Sequence, residues 1–240
     1  MPCLNSAHIP VGINHTYLTL IPKVKSPKHV TEFRPIALCN IVYKLISKVL
    51  ANRLKVILLD IIFESQSVFQ SDKAISYNIL VAFESLHLMT TKTLRKIGSM
   101  VLKLDMSKAF DRVEWTFLLQ LMEKMGFNGR WVNLISECIN TVTYSIPVND
   151  EPKRNIVPSR GIRQGDPLSP YLFLLCSEGL NSLIQHAINE DKIRGYSLCQ
   201  YGPKISHSFF ADDSLLFCCA QIIDIQAIQE ILELYKKASG

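Results

Sequence analysis

Three aspartates stand in apolar frames. Asp105 closes the run Met100-Val101-Leu102-Lys103-Leu104, and Asp212 and Asp213 sit together inside Ser208-Phe209-Phe210-Ala211-Asp212-Asp213-Ser214-Leu215-Leu216-Phe217. Burying a carboxylate among apolar side chains is costly unless its charge is compensated. Divalent cations supply that compensation, and hard carboxylate oxygens suit magnesium. Two such ions about 4 Å apart are a recurrent device for in-line phosphoryl transfer. Each frame also has a plainer reading. An Asp after an apolar strand, or Ser107 behind it, serves as a helix N-cap. Asp-Asp between apolar runs serves as a hairpin turn.

A third element adds to these two. Gly161-Ile162-Arg163-Gln164-Gly165-Asp166-Pro167-Leu168-Ser169-Pro170 is a turn-rich loop that opens a long apolar stretch. Its glycines allow close backbone approach to a ligand, and a helix N-terminus favours a phosphate. An N-capped loop without a ligand has the same composition. The three elements in this order are more specific than any one of them.

The spacing of apolar residues predicts what positions these groups. Residues 16–21 and 100–105 alternate as strands. Residues 40–59 carry apolar side chains at 41, 42, 45, 46, 49, 50, 54, 57 and 58, with Lys44, Lys48 and Lys55 on the other side, which is helical spacing. A second helix is expected over 74–89, through Ile75, Ile79, Leu80, Phe83 and Leu86. Further helices are expected over 114–125, 130–140, 170–189 and 223–238. Residues 141–148 and 153–157 flank Asn149-Asp150-Glu151-Pro152, a hairpin signal. Short strands are expected around 194–200, 204–210 and 214–219. This mixture lacks regular βαβ alternation and predicts an α+β body, with helices on one face of a small antiparallel sheet. The strand ending at Asp105 and the hairpin carrying Asp212 and Asp213 are expected to be neighbours in it.

The chain has 240 residues, 48% apolar and 20% charged, a globular rather than disordered composition. No apolar run approaches the roughly 18 residues that span a bilayer, and the first residues lack the pattern of a signal peptide. An intracellular protein without a membrane segment is expected. The seven cysteines form no Cys-x-x-Cys pair, which argues against zinc ligation or a disulfide framework. The net charge of +5 is unevenly placed. Residues 1–60 carry +6, from eight Lys and Arg against Glu32 and Asp60, and the remainder is close to neutral. A basic lobe beside a carboxylate-bearing body suits a polyanion, while a solvated lysine-rich helix face accounts for the same count.

Taken together, the segments resemble the palm motifs of reverse transcriptases, particularly those of non-LTR (LINE-type) retrotransposons. Phe110-Asp111-Arg112-Val113-Glu114-Trp115 and Arg163-Gln164-Gly165-Asp166-Pro167-Leu168-Ser169-Pro170 carry the likeness to that group. Upstream, Leu20-Ile21-Pro22-Lys23, Phe33-Arg34-Pro35-Ile36-Ala37-Leu38 and the stretch from Tyr43 to Leu54 look like the finger motifs. The likeness covers residues 16–240. It implies a right-hand polymerase fold without its thumb, with residues 1–98 as N-terminal extension and fingers and residues 99–240 as palm. It implies RNA-directed DNA synthesis with two magnesium ions, Mn2+ being a substitute, on an RNA template and a DNA primer with deoxynucleoside triphosphates. Asp105 and Asp212 match the two principal metal ligands, and Asp213 the third acidic residue. Phe110 matches the bulky residue under the sugar of the incoming nucleotide, which excludes a 2′-hydroxyl. Gln164 and Gly165 match the loop that contacts nucleotide and template. Lys23 and Arg34 match basic finger positions that approach the triphosphate. A nuclear location is the family default, although Lys23-Val24-Lys25 is too sparse for a strong import cluster.

The chain departs from the pattern in two places. The segment Ser65-Gln66-Ser67-Val68-Phe69-Gln70 begins like the template-contacting motif, but continues as Ser71-Asp72-Lys73 instead of a Pro-Gly-Arg-type turn, and lysine lacks the fork geometry of arginine. The chain also stops at Tyr235-Lys236-Lys237-Ala238-Ser239-Gly240, before the next family motif and the thumb, so weak hold on primer and template is expected. A truncated remnant that binds nucleic acid without catalysis is therefore the alternative expectation. A group II intron maturase is a close relative, and the string from Lys108 to Trp115 argues against it.

Overall fold

The computed structural model describes residues 6–62, 75–91, 98–149, 151–197, 204–210 and 213–240. Asp212 and the segment 65–73 lie outside the described residues. In chain order the elements are β1 (His15–Pro22), a 3-10 turn (Val30–Glu32), β2 (Phe33–Cys39), α1 (Ile41–Ile61) and α2 (Ile75–Thr91). Then come β3 (Ser99–Asp105), the single turn α3 (Ala109–Arg112), α4 (Trp115–Lys124), α5 (Gly129–Asn140), β4 (Thr143–Val148) and β5 (Glu151–Ile156). The rest are α6 (Ser169–Asn189), β6 (Tyr196–Ser197), β7 (Lys204–Ile205), β8 (His207–Phe210), β9 (Asp213–Cys219) and α7 (Ile222–Ser239). This is the mixed α and β architecture that the spacing predicts. Two compact units interleave along the chain.

The first unit comprises Met1–Ile57, Phe110–Cys176 and Ser239. Its sheet has the order β2-β1-β4-β5, with β1 antiparallel to β2 and parallel to β4. Strand β2 is not anticipated by the sequence, because Arg34 and Pro35 interrupt its pattern. It forms because it lies at the sheet edge, where proline can be accommodated, and Pro35 pairs with Leu20 there. Helix α1 buries Tyr43, Ile46, Ser47, Leu50, Ala51 and Leu54, while Ile41, Val42 and Leu45 are exposed. The buried stripe is thus rotated from the one that apolarity alone suggests, and includes two hydroxyl-bearing residues four apart. Helix α5 starts at Asn128, whose Oδ1 accepts from Arg130 N at 2.9 Å, and buries Val132, Ile135, Cys138 and Ile139 at helical spacing.

The second unit comprises Leu58–Ala109, Ser177–Ala238 and Gly240. Its antiparallel sheet has the order β3-β9-β8. Strand alternation sorts the side chains between two faces. Met100, Leu102, Leu104, Phe209, Leu216 and Cys218 pack against α6 and α7 through Leu180, Ile184, Ala187, Ala227 and Ile228. Val101, Leu215 and Phe217 pack on the other face against Ala82 and Met89 of α2, with Tyr196 and Ile205. Helices therefore cover both faces rather than one. The reason lies in β9, where apolar residues follow one another through Leu215, Leu216, Phe217 and Cys218, so that both faces need cover. Helix α2 makes this contact through Ala82 and Met89, and Ile79, Leu80, Phe83 and Leu86 are exposed. Among the described residues no helix is long and apolar enough to cross a membrane. The five described cysteines are free thiols, four of them buried.

Candidate active site

The long-range pairing that matters most is between β3 and β9. Their antiparallel register runs from Ser99↔Cys219 to Asp105↔Asp213, so these two carboxylates stand directly opposite each other at the end of the sheet and on the same face. The sequence suggests buried carboxylates, but Asp105 is exposed and Asp213 half exposed. The apolar flanks bury themselves in the body of the sheet, and the strand end carries the acids out of it. Like charges at directly opposed cross-strand positions repel. Lys103, diagonal to Asp213 on the same face, places its Nζ 3.1 Å from Asp213 Oδ1, and its own pKa is raised, first by that hydrogen bond. One lysine partly offsets two carboxylates. Hard oxygens converging at a solvent-exposed edge fit a divalent cation. Among the described residues no third His, Cys, Asp or Glu completes a metal-binding cluster, Asp212 lying outside them. Directly after Asp105 the chain turns sharply, with Ala109 N donating to Met106 O at 3.2 Å and Lys108 in the left-handed region at φ 56°.

Phe110, Gln164, Gly165, Lys23 and Arg34 belong to the first unit. Phe110 is half-buried and stacks on Phe173 of α6, ring centroids 5.1 Å apart at 15°. Its carbonyl accepts from Ile162 N, and that of Val113 accepts from Gly161 N, both at 2.8 Å. Trp115 Nε1 closes the same junction on Gly161 O at 2.7 Å. Gly161 has φ 90°, and a Cβ there would lie 2.8 Å from the Asp111 carbonyl oxygen. The close approach that this glycine permits is thus to protein backbone, not to a ligand. Gly165 also has positive φ, 103°, with a would-be Cβ 3.3 Å from Ala37 O, while Ala37 N donates to Gln164 O at 2.9 Å. The loop is docked along edge strand β2. A cavity of about 140 Å³ opens beside it, lined by Leu18, Pro35, Ala37, Asp111, Arg160 and Gln164 among others.

The residues flanking that turn, to which the sequence assigns no role, form a buried polar cluster in the first unit. Arg163 and Asp166 are both buried and pair at 3.1 Å. The guanidinium also donates to Asn14 Oδ1 at 2.5 Å, Thr16 Oγ1 at 3.3 Å and the Cys138 carbonyl at 3.0 Å, and lies 3.8 Å over the Tyr43 ring. Asp166 accepts from Tyr43 OH at 2.9 Å, from Ser47 Oγ and from Leu168 N. Burial, then the Asp166 charge, pushes the Tyr43 phenol well above its ordinary range. Burial opposes the charge on Arg163, but the groups around it, Asp166 among them, together outweigh that and raise its pKa. The Asp166 carboxylate thus accepts from Leu168 N just before α6, and its backbone carbonyl accepts from Ser169 N at the first residue of that helix. The available sequence signal was Tyr43 and Ser47, four apart on the packed face of α1.

Lys23 and Arg34 are exposed on the β1–β2 hairpin, where Arg34 pairs with Ile21. Lys23 is tied back to its own hairpin, its backbone N to Glu32 O at 2.7 Å and its Nζ to Thr31 O at 3.1 Å.

Residues 21–240 match the family described as Reverse transcriptase (RNA-dependent DNA polymerase). The Transposon TX1 uncharacterized 149 kDa protein of Xenopus laevis is 27% identical over 234 residues, 97% of this chain and 17% of that protein. A Retrovirus-related Pol polyprotein from a type-1 retrotransposable element R2 of Popillia japonica is 29% identical over 216 residues, 87% of this chain and 28% of that protein. The chain thus spans well under a third of either relative. Among solved structures, a telomerase from Candida albicans with a TWJ fragment of telomeric RNA superposes with a TM-score of 0.60 at 15% identity, over 96% of this chain and 41% of that one.

Proposed function

The chain belongs to the reverse transcriptase (RNA-dependent DNA polymerase) family, has the polymerase palm and fingers fold, and from that premise we propose that it extends a DNA primer on an RNA template for a LINE-type retroelement. The observation that carries this reading is the register Asp105↔Asp213, which brings two acids from opposite ends of a long sequence interval to one edge. Asp105 and Asp213, with Asp212, would hold two magnesium ions. Such ions, when bound, supply positive charge for activating the primer 3′-hydroxyl and stabilising the departing pyrophosphate. The chain's own side chains do the rest. Phe110 sets the floor under the sugar and excludes a 2′-hydroxyl, its ring steadied by Phe173. Gln164 and Gly165 present backbone and amide to the incoming nucleotide and template. Lys23 and Arg34 attract the triphosphate from the β1–β2 hairpin. On this reading residues 1–98 serve as extension and fingers and residues 99–240 as palm. The basic excess of residues 1–60 suits contact with nucleic-acid phosphates.

The test is primer extension on an RNA template with deoxynucleotides and magnesium, beside Asp105→Asn and Asp213→Asn. Extension by the unaltered chain and its loss in both variants, with RNA binding kept, is the expected result. Equal extension in the variants removes those residues from the catalytic set. Binding without extension in the unaltered chain overturns the enzymatic reading in favour of a binding remnant.

A further inference from the structure

We propose that the buried Arg163–Asp166 pair is a positioning clamp that sets the Gln164–Gly165 turn for nucleotide binding, an inference that rests on the polymerase reading above. The two charged residues are three apart and face inward, so the two residues between them form the turn. What the clamp grips comes from separate parts of the unit: Asn14 and Thr16 at the start of β1, Tyr43 and Ser47 on α1, and the Cys138 carbonyl on α5. The pose of the turn is thereby referred to several elements at once. Its outer side meets β2, through Ala37 N to Gln164 O and the close approach of Gly165 to Ala37 O.

An ion pair this deep is a poor device for stability alone, since apolar residues of similar volume hold elements together as well or better. Apolar contacts have no direction, whereas hydrogen bonds with a carbonyl, an amide oxygen and three hydroxyls fix both position and rotation. Small displacements of a substrate-positioning group cost far more in turnover than in folding. The clamp therefore acts on where Gln164 and Gly165 stand, while touching neither nucleotide nor template itself.

The experiment compares the unaltered chain with Tyr43→Phe and with the double variant Arg163→Met, Asp166→Asn. The double variant removes both charges together and leaves an oxygen to accept from Leu168 N. Three quantities are measured: the melting midpoint, the KM for deoxynucleotide against kcat in primer extension, and hydrogen exchange over residues 163–167 without substrate. The expected result is a folded double variant whose KM rises on the order of tenfold, with faster exchange in the turn. Tyr43→Phe, keeping the ion pair, shifts both in the same direction by less. Unchanged KM and unchanged exchange overturn the clamp. If the unaltered chain does not extend primers, the polymerase reading fails by itself, and exchange in the turn still decides whether the pair holds it: faster exchange in the double variant supports the clamp and equal exchange overturns it.

Discussion

The sugar-gate role proposed for Phe110 depends on how still the residue is held. Its ring is stacked on Phe173 at 5.1 Å, and its carbonyl is pinned by Ile162 N. Such an aromatic pair contributes about 1 kcal/mol beyond its buried area. Phe110→Val leaves a short β-branched side chain in place and removes the ring. We expect the variant to incorporate ribonucleotides as well as deoxynucleotides, read as the ratio of the two kcat/KM values. An unchanged ratio excludes Phe110 as the sugar gate. The acids behave differently at this scale. Asp105 is exposed and Asp213 half exposed, so asparagine at either position is expected to leave stability within about 0.5 kcal/mol. Loss of extension in those variants then reads as chemistry rather than folding.

At the scale of elements, the junction between 110–113 and 161–162 is where the tolerance is smallest. Gly161 N and Ile162 N donate to Val113 O and Phe110 O, and Trp115 reaches back to Gly161 O. An alanine at 161 would need φ 90° and would put its Cβ 2.8 Å from the Asp111 carbonyl oxygen. Relief requires the two backbone segments to part, which breaks the bonds that hold Phe110. We expect Gly161→Ala to cost about 3 kcal/mol, measured as a lower denaturant midpoint. Its sugar selectivity should relax as well. Gly126 offers the control: it also has positive φ, at 85°, but meets no atom within 4 Å, so alanine there pays for conformation alone.

At the scale of the whole molecule, charge and protonation set where the fold is secure. The basic excess lies in residues 1–60 of the sequence. In the second unit a buried histidine, His207, links β8 to α6. Its Nε2 meets Asn181 Oδ1 at 2.6 Å, its Nδ1 meets Ser206 Oγ at 2.9 Å, and Asn181 in turn donates to Glu178. Burial pulls the His207 pKa down to about 4. The unfolded chain, at the ordinary 6.5, binds a proton that the folded chain refuses. Stability is therefore full above pH 6.5 and falls as pH drops through that window, by about 3 kcal/mol at its lower end. Unfolding midpoints taken from pH 7 down to about 4 should show this loss, and His207→Gln should flatten the slope by one proton. A variant with the same slope as the parent would show that His207 does not carry it.

Much of this site is local and so could be read along the chain. Period-two alternation places Lys103 and Asp105 on one face of β3, and helical spacing delimits α1, α4, α5, α6 and α7 to within a few residues, because both depend on neighbours in sequence. The glycines at 161 and 165 announce a turn for the same reason. What the chain order leaves open is every choice that joins distant segments. The pairing of Asp105 with Asp213 is a matter of register between strands more than a hundred residues apart, decided by which apolar faces meet. Strand β2 exists because an edge accommodates Pro35. The burial of Arg163 and Asp166 needs Asn14, Tyr43, Ser47 and Cys138, as far as 149 residues away. Locally, a charged loop reads as surface. Only when those polar groups are brought together by the packing of α1, β1 and α5 does burying an ion pair become affordable, since a buried charge is tolerated where its partners already stand.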